Sequence, residues 1–183
     1  MQYKDNVERL SEKNKKNNPF SSIRTSDIKL FVTDIDGTLT NGKLSYVDIA
    51  DMGSAIIKEF NVHDGYAGKL LSEKGIPVAV LSGRADSSSL SRVKDLGWDV
   101  VGLGVDDKLQ VLSEYLEKKK LNFSQVIYLG DDLNDLECIQ NSALGFCVAD
   151  SQDLLKQKSD FVLSKKGGEG ALRELVNLFL SVE

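Results

Sequence analysis

The 183-residue chain lacks the long apolar segments that membrane insertion or secretion requires. No apolar run approaches the roughly 18 residues of a membrane-spanning helix, and no apolar segment near residue 1 resembles the core of a signal peptide. Cysteine is scarce, with only Cys138 and Cys147, both in or beside apolar stretches. Reduced core thiols fit this pattern better than a disulfide, which stays the alternative. These features predict a cytoplasmic protein with no membrane partner.

An excess of positive charge is also missing, because the formal net charge is −5. Residues 1–29 hold seven Lys and Arg against four Asp and Glu, so the rest of the chain carries −8. A domain this acidic is a poor binder of a phosphate backbone. The composition therefore argues against nucleic acid as a partner.

Large apolar side chains are few in residues 1–27, which are rich in Lys, Asn and Ser. Such a segment cannot bury much apolar surface, so we predict a flexible N-terminal extension. The remaining residues, 28–183, are long enough for one domain with a full core and short for two.

Short apolar segments alternate with helical patterns after residue 28. The predicted strands are 28–32, 78–81, 99–101, 126–129, 144–148 and 161–163, and the predicted helices are 64–74, 85–96, 107–119, 133–140, 154–158 and 171–182. This alternation predicts an α/β fold, a three-layer, Rossmann-like, doubly wound parallel sheet without a separate cap domain. A β-hairpin flap is expected after the first strand, with arms at 43–47 and 56–60. Asp64 is expected to cap the first helix.

Two carboxylates, Asp34 and Asp36, directly follow the first strand and precede Gly37. Residues i and i+2 of extended backbone point to the same side, so both should face one region. Two close anions repel unless a cation lies between them or one keeps its proton. The alternative is an ordinary turn, since Asp and Gly are common turn residues.

Other polar residues follow the later strands, at the edge where open parallel sheets bind ligands. They are Ser82, Gly83, Arg84, Lys108, Asp131, Asp132, Asn134 and Asp135. Taken singly, Ser82 and Gly83 could cap a helix, and the acidic residues could complement a helix N-terminus. Lys108 is different, because a cation in the first turn of a helix opposes the helix dipole unless an anion is nearby, which indicates a bound phosphate.

These polar residues, taken together, predict a reaction that none of them predicts alone. Carboxylates from two strand ends form the kind of oxygen cluster that Mg²⁺ prefers. Ser82 and Lys108 add a hydroxyl and a positive charge from the intervening elements. A metal, an anion receptor and a carboxylate nucleophile on one sheet edge indicate phosphoryl transfer.

The chain resembles a known family at these positions. The four motifs of the haloacid dehalogenase superfamily of phosphatases match, in order, Asp34-Ile35-Asp36-Gly37-Thr38, Ser82, Lys108 and Gly130-Asp131-Asp132-Leu133-Asn134-Asp135. Its 3-deoxy-D-manno-octulosonate 8-phosphate phosphatase group is similar in Phe60-Asn61-Val62-His63-Asp64-Gly65-Tyr66, in Leu81-Ser82-Gly83-Arg84 and in Gly167-Gly168-Glu169-Gly170-Ala171-Leu172-Arg173-Glu174. The resemblance covers about residues 28–182 and says nothing about residues 1–27.

The resemblance implies a role for each site residue. Asp34 would be the nucleophile that becomes an aspartyl phosphate, and Asp36 would be the general acid and base. Mg²⁺ would be held by Asp34, the backbone carbonyl of Asp36 and Asp131, supported by Asp132, Asn134 and Asp135. Phosphate would be bound by Ser82, Gly83 and Lys108. Substrate contacts would come from Thr38, His63, Lys69 and Arg84.

The resemblance further implies a homotetramer in which the hairpin and the C-terminal tail cover a neighbour's site. Residues 167–170 would belong to this tail, although a flexible turn is the alternative. His63 replaces the arginine usual in the octulosonate phosphatases, and Leu103-Gly104 replaces a Gln-Gly pair. A nine-carbon sugar acid 9-phosphate is therefore the alternative substrate.

Two other classes of function share parts of this residue set. A signalling receiver domain also uses a phospho-accepting Asp, a Lys and an acidic pair, but it has no need of Asp36. The chain could also be an inactive copy of the fold that serves in assembly. The loss of any one site residue would suffice to inactivate such a copy, yet the whole set is present, which argues against this class. That set is Asp34, Asp36, Ser82, Lys108 and Asp131.

Overall fold

A computed structural model describes residues 19–50 and 53–181. Within these ranges the chain forms eight strands, namely β1 Leu30–Thr33, β2 Ser45–Ile49, β3 Gly53–Ile57, β4 Val78–Ser82, β5 Asp99–Leu103, β6 Val126–Gly130, β7 Leu144–Cys147 and β8 Phe161–Val162. The helices are α1 Val62–Glu73, α2 Ser87–Leu96, α3 Lys108–Lys119, α4 Leu136–Asn141, α5 Asp153–Lys158 and α6 Ala171–Leu180. Short 3₁₀ helices occupy Pro19–Ser22, Thr25–Asp27, Phe123–Gln125 and Leu133–Asp135.

Six strands form one parallel sheet in the order β5-β4-β1-β6-β7-β8. Every residue of β1, β4, β6 and β7 is buried, as expected of strands covered by helices on both faces. The chain builds outward from β1 to β5, then returns to the other side of β1 to start β6. The strand order reverses at this point, so a crevice opens beyond the carboxyl ends of β1, β4 and β6.

Alternate residues of β1 point into two different hydrophobic clusters. Phe31 joins the cluster that contains side chains of α1, α2 and α6, whereas Leu30 and Val32 join the cluster of α3, α4 and α5. Helices therefore cover both faces of the sheet, which confirms the predicted three-layer fold. No separate cap domain is present in residues 19–50 and 53–181.

The hairpin is present, but its arms differ from the predicted ones. Strands β2 and β3 pair antiparallel, from Ser45 opposite Ile57 to Ile49 opposite Gly53, and form their own two-stranded sheet. Lys58 and Phe60 have strand composition but lie outside β3. The ammonium of Lys58 is instead held in a buried cluster of charges, and Phe60 packs against the core. These tertiary contacts end the strand early.

The packed domain begins before the predicted boundary at residue 28. Phe20 is buried, and its ring centroid lies 5.7 Å from that of Phe146 and 5.4 Å from that of Phe179. Residues 19–27 therefore belong to the packed unit. The remainder of the predicted extension, residues 1–18, lies outside the described residues.

The first helix is capped by Asn61, not by Asp64 as predicted. The side chain of Asn61 accepts a hydrogen bond from the His63 backbone N–H at 2.9 Å. Asp64 sits in the first turn of α1, where its carboxylate is buried against the start of α6. The Asp64 side chain therefore accepts a hydrogen bond from the first turn of α6 and does not cap α1.

Two expectations about composition can be compared directly with the structure. Cys138 and Cys147 are both buried and free, as predicted. Among the helices that the structure describes, none is long and apolar enough to cross a membrane.

Candidate active site

An open cleft of about 520 Å³ lies beyond the carboxyl ends of β1, β4 and β6. It is lined by Asp34, Asp36, Ser82, Gly83, Arg84, Ala85, Asp131, Asp132 and Asn134. Polar residues that are scattered over 100 positions of the sequence thus meet at one edge of the sheet, where the strand order reverses.

Lys108 is a buried cation in contact with Asp34. Its Nζ lies 2.8 Å from Oδ1 of Asp34 and 2.7 Å from Oδ1 of Asp135. Burial lowers the pKa of Lys108, but the two carboxylates outweigh burial, so the pKa is raised and the side chain stays charged. Two protein carboxylates therefore lie beside this first-turn lysine, and its predicted contact with a bound phosphate stays a prediction.

Asp135 holds Lys108 in place. Its Oδ1 also accepts a hydrogen bond from the Tyr128 hydroxyl at 2.8 Å, and its Oδ2 accepts from the backbone N–H groups of Asp131 and Asp132 at 3.1 and 3.3 Å. Both oxygens of Asp135 are therefore committed to donors from the protein. Sequence reasoning missed Tyr128; the available signal was a tyrosine in a fully buried strand, whose hydroxyl needs a partner.

The acidic cluster has the composition of a cation site. Asp34, Asp131 and Asp135 each offer a carboxylate oxygen, and these three atoms lie within 4.8 Å of one another. Burial, followed by repulsion from Asp135, raises the pKa of Asp131 to about 7 and the pKa of Asp34 well above its usual range. A divalent cation would remove this repulsion, and carboxylate oxygens are the ligands that Mg²⁺ prefers. Because Asp135 is already fully hydrogen-bonded, Asp34 and Asp131 are the two carboxylates that would hold it.

Asp131 is positioned by the loop that follows β1. Thr38 Oγ1 donates a hydrogen bond to Oδ1 of Asp131 at 2.9 Å, and Thr38 is fully buried. Gly37 has φ of +93°, and a Cβ at this position would lie 2.0 Å from Oδ2 of Asp131. Glycine is thus required by both the backbone conformation and the approach of the carboxylate. Thr38 thus orients Asp131, and its predicted contact with substrate stays a prediction.

Asp36 lines the same cleft and lies close to two cations. Its side chain is 21% exposed, and Nζ of Lys58 lies 2.6 Å from its Oδ1. Arg84 Nε lies 3.6 Å from its Oδ2. Neither oxygen of Asp36 accepts an aligned hydrogen bond from the described part of the chain. The carboxyl group is thus held by the charges of Lys58 and Arg84.

The end of β4 provides further residues that line the cleft. Ser82 is buried, and its Oγ accepts a hydrogen bond from the Arg84 backbone N–H at 3.2 Å. Gly83 and Arg84 are exposed in the cleft, as are Asp132 and Asn134 on the loop after β6. These residues were all predicted for the site, and the structure brings them together.

Two predicted substrate contacts do not line this cleft. His63 and Lys69 both lie on α1 and are exposed. Nζ of Lys69 lies 5.9 Å from the ring centroid of Tyr66, which is also on α1. Their contacts with substrate stay predictions.

The glycine-rich segment 167–170 packs directly on the loop after β1. The Gly168 N–H donates a hydrogen bond to the Thr38 carbonyl at 3.1 Å. A Cβ on Gly167 would lie 1.8 Å from the carbonyl oxygen of Gly37. Gly167 also donates its N–H to Oδ1 of Asp150 at 3.0 Å. The segment therefore supports the loop of its own chain that carries Thr38.

Comparison with known proteins agrees with this site. The family of haloacid dehalogenase-like hydrolases matches residues 97–175. The 3-deoxy-D-manno-octulosonate 8-phosphate phosphatase of Haemophilus influenzae is 36% identical to the chain over 160 residues, which are 87% of each protein.

Solved structures give the same result. A probable phosphatase of the YrbI family from Pseudomonas syringae has a TM-score of 0.82 and 38% identity, covering 90% of each chain. The Moraxella catarrhalis 3-deoxy-D-manno-octulosonate 8-phosphate phosphatase, solved with a magnesium ion, a phosphate ion and a KDO molecule, has a TM-score of 0.80 and 34% identity, over 87% of this chain and 89% of that one. With this similarity along most of its length, the chain belongs to the haloacid dehalogenase-like hydrolases and, among them, to the 3-deoxy-D-manno-octulosonate 8-phosphate phosphatase family.

Proposed function

We propose that this protein is a Mg²⁺-dependent phosphatase that hydrolyses the phosphate monoester of a 3-deoxy-2-keto sugar acid of the octulosonate 8-phosphate type. The observation that carries the proposal is the arrangement of Asp34. Its carboxylate lies in the cleft between a buried cation, Lys108, and a second carboxylate, Asp131, with which it can share a metal ion. Uncatalysed hydrolysis of phosphate monoesters is among the slowest reactions known, so a full set of catalytic groups is needed.

The first step transfers the phosphoryl group to the enzyme. An oxygen of Asp34 attacks phosphorus, and the bond between phosphorus and the sugar oxygen breaks. Asp36 donates a proton to the leaving oxygen, which departs as the sugar hydroxyl. The product on the enzyme is an aspartyl phosphate at Asp34.

The second step releases phosphate. Asp36, now a carboxylate, takes a proton from a water molecule, and the water oxygen attacks phosphorus. The bond between phosphorus and the Asp34 oxygen breaks, and inorganic phosphate leaves. Asp34 thus carries the phosphoryl group between the two steps, and Asp36 donates a proton in the first step and accepts one in the second.

The remaining residues stabilise the charge on the transferred group. Ser82, the Gly83 backbone and Lys108 would bind the phosphoryl oxygens. Asp34, the Asp36 carbonyl and Asp131 would hold Mg²⁺, with Asp132, Asn134 and Asp135 in support. The bound ion supplies positive charge that polarises the phosphoryl oxygens.

The proposed substrate class rests on the similarity to octulosonate 8-phosphate phosphatases and on Arg84. The guanidinium of Arg84 is 46% exposed at the rim of the cleft, where it can meet a substrate carboxylate or hydroxyl. His63 stands where that group usually has arginine, so a nine-carbon sugar acid 9-phosphate is the second candidate. A screen of phosphate release over eight-carbon and nine-carbon sugar acid phosphates separates the two.

We also propose a homotetramer in which the hairpin and the tail cover a neighbour's cleft. Every residue of β2 is exposed, and Tyr46 on β2 is 64% exposed. A lone two-stranded hairpin with apolar side chains in water is marginally stable, so a partner surface is expected. Light scattering at micromolar concentration should give four times the chain mass, and a monomer would contradict the proposal.

A cytoplasmic location is proposed from the cysteines. Both thiols are unpaired and buried, as is usual for proteins of reducing compartments. The proposed partners are the sugar acid phosphate and other copies of the chain, without nucleic acid or membrane.

One assay tests the activity itself. Phosphate release from 4-nitrophenyl phosphate is measured with Mg²⁺, with EDTA, and with Asp34→Asn. Activity should require both the metal and Asp34, and turnover that persists in EDTA or in Asp34→Asn would contradict the mechanism. Stable phosphorylation of Asp34 without release of phosphate would support a receiver domain instead.

A further inference from the structure

Lys58 is a buried cation that the proposed reaction scheme does not use. It follows β3 by one residue, and its side chain is 0% exposed. Its Nζ lies 2.6 Å from Oδ1 of Asp36, 2.6 Å from Oδ2 of Asp86 and 2.9 Å from Oγ of Ser89. An ammonium has three protons to donate, and three acceptors surround this one. A buried charge needs such neutralisation.

The contact with Asp36 differs from the other two contacts. Asp86 and Ser89 accept hydrogen bonds from Lys58, whereas Asp36 is close to Nζ without an aligned hydrogen bond. Lys58 therefore holds the carboxyl group of Asp36 as a buried ion pair, at the same 2.6 Å separation as its contact with Asp86. Arg84 is the other cation near Asp36 in the described residues, but it is farther away and half exposed.

Lys58 is itself fixed by the start of α2. Oδ1 of Asp86 accepts the Ser89 backbone N–H at 2.9 Å as the helix cap, and its Oδ2 accepts from Ser89 Oγ at 3.1 Å as well as from Lys58. A separate contact joins the same two elements, because the Ser88 hydroxyl donates to the Ile56 carbonyl of β3. Among the described residues, polar contacts thus join this arm to α2 at Lys58 and at Ile56, and of these two Lys58 contacts Asp36.

We propose that Lys58 is a positioning residue for Asp36 that links the hairpin to proton transfer in the cleft. It holds the carboxyl group of Asp36 toward the leaving oxygen while the phosphoryl group moves to Asp34. This inference rests on the proposed phosphatase function. A shift of β3 relative to α2 would move Lys58 and, with it, the carboxyl group that protonates the sugar oxygen.

The acidity of the leaving group distinguishes this role from simple attachment of the hairpin. The value of kcat/KM reports the steps through release of the leaving group, which for an alkyl phosphate needs a proton. The 4-nitrophenolate ion leaves without one. Loss of a correctly placed acid should therefore lower kcat/KM for an alkyl phosphate much more than for 4-nitrophenyl phosphate.

The experiment compares Lys58→Met with Ser88→Ala on both substrates with Mg²⁺. We expect Lys58→Met to lower kcat/KM for the alkyl or sugar phosphate by about 10-fold to 100-fold, and for 4-nitrophenyl phosphate by less than about 3-fold. Ser88→Ala removes the other attachment and should leave the ratio of the two substrates unchanged. Equal losses on both substrates, or the same change of ratio in Ser88→Ala, would overturn the proposal.

A second variant covers the case in which Lys58→Met does not fold. Asp86→Asn keeps a residue that caps helices well but removes the charge that holds Lys58. It should give the same dependence on the leaving group at smaller amplitude, and no change in the substrate ratio would overturn the proposal. Wild-type protein that hydrolyses neither substrate would contradict the phosphatase function itself, which is a separate outcome.

Discussion

Asp64 of α1 accepts a hydrogen bond at 2.9 Å from the backbone N–H of Arg173, which lies in the first turn of α6. A residue in one helix thus satisfies the N-terminus of another helix 109 positions later. This contact fixes α6 next to residues 167–170, which support the loop after β1. The carboxylate is buried, and burial has a consequence for pH.

Burial raises the pKa of Asp64 to about 6, although the N–H groups of Arg173 and Leu172 and the charges of His63 and Arg92 oppose the shift. The folded state therefore keeps this proton up to a higher pH than the unfolded chain does. The contribution of Asp64 to the free energy of unfolding of the wild type should fall as the pH rises from about 4 to 6, and it should stay low above pH 6. Asp64→Asn should remove this dependence and raise the free energy of unfolding at pH 7 by about 1–3 kcal/mol.

Urea unfolding of wild type and Asp64→Asn from pH 4 to 8 measures that difference. The asparagine side-chain oxygen can still accept the Arg173 hydrogen bond, so the comparison isolates the charge. A constant difference between the two proteins over this range would contradict the pKa shift.

Metal binding should stabilise the fold through Asp131. Mg²⁺ at about 100 times its dissociation constant should raise the free energy of unfolding by about 2.7 kcal/mol. The effect should grow as the pH rises through about 7, because Asp131 must lose its proton to bind the ion. Thermal unfolding with Mg²⁺ and with EDTA measures it. Asp131→Asn should lose most of the stabilisation, whereas Asp106→Asn, an exposed residue before α3, should keep it.

Removal of the proposed acid and base should slow both chemical steps. Asp36→Asn should lower kcat by at least about 100-fold, the usual share of general acid–base catalysis. Asp95→Asn, which removes one exposed charge on α2, is the control for net charge. Steady-state phosphate release measures the effect. Activity of Asp36→Asn close to wild type would exclude the assigned role.

The Tyr128 hydroxyl should matter for both stability and activity. Tyr128→Phe leaves Asp135 with one donor fewer in a buried site, and we expect a loss of about 1–2 kcal/mol of unfolding free energy. Because Asp135 also orients Lys108, kcat/KM should fall about 10-fold. Tyr115→Phe is the matched control. The Tyr115 hydroxyl donates a hydrogen bond to Asp99 at 2.6 Å, and neither residue lines the cleft. That variant should lose stability but keep its activity, and equal activity losses would contradict the chain of contacts.

A side chain at Gly167 should displace the loop after β1. Gly167→Ala places a Cβ against the Gly37 carbonyl, so we expect a loss of about 2–4 kcal/mol together with weaker Mg²⁺ binding. Gly75→Ala is the control, because its positive φ of +72° is strained but its Cβ would meet nothing within 4 Å. It should cost about 1 kcal/mol and leave metal binding unchanged. Calorimetry and Mg²⁺ titration of both variants make the comparison.

The sequence predicted the sheet and most of the cleft because those signals are local. A strand such as β1 is a short apolar run, and the carboxylates that follow it need no partner to be recognised. Asp34, Ser82, Lys108 and Asp131 each follow or begin an element, so sheet topology alone brings them together.

The residues that sequence reasoning missed depend on distant partners. Lys58 is explained by Asp36 and Asp86, and neither is near it in the chain. Asp64 carries the signature of a helix cap, yet its partner is Arg173. Phe20 lies in a polar segment and is buried only because Phe146 and Phe179 are there to pack against it. Such contacts belong to tertiary structure and have no local pattern.

The loop after β1 is enclosed between Asp131 and Gly167, while the rim of the cleft at Arg84, Asp132 and Asn134 is open to solvent. A substrate that enters from this rim would pass Arg84, Asp132 and Asn134 before it reaches Asp34. Because Arg84 also lies 3.6 Å from Asp36, a substitution there is expected to alter turnover together with the choice of sugar, so specificity and rate would change in the same evolutionary step.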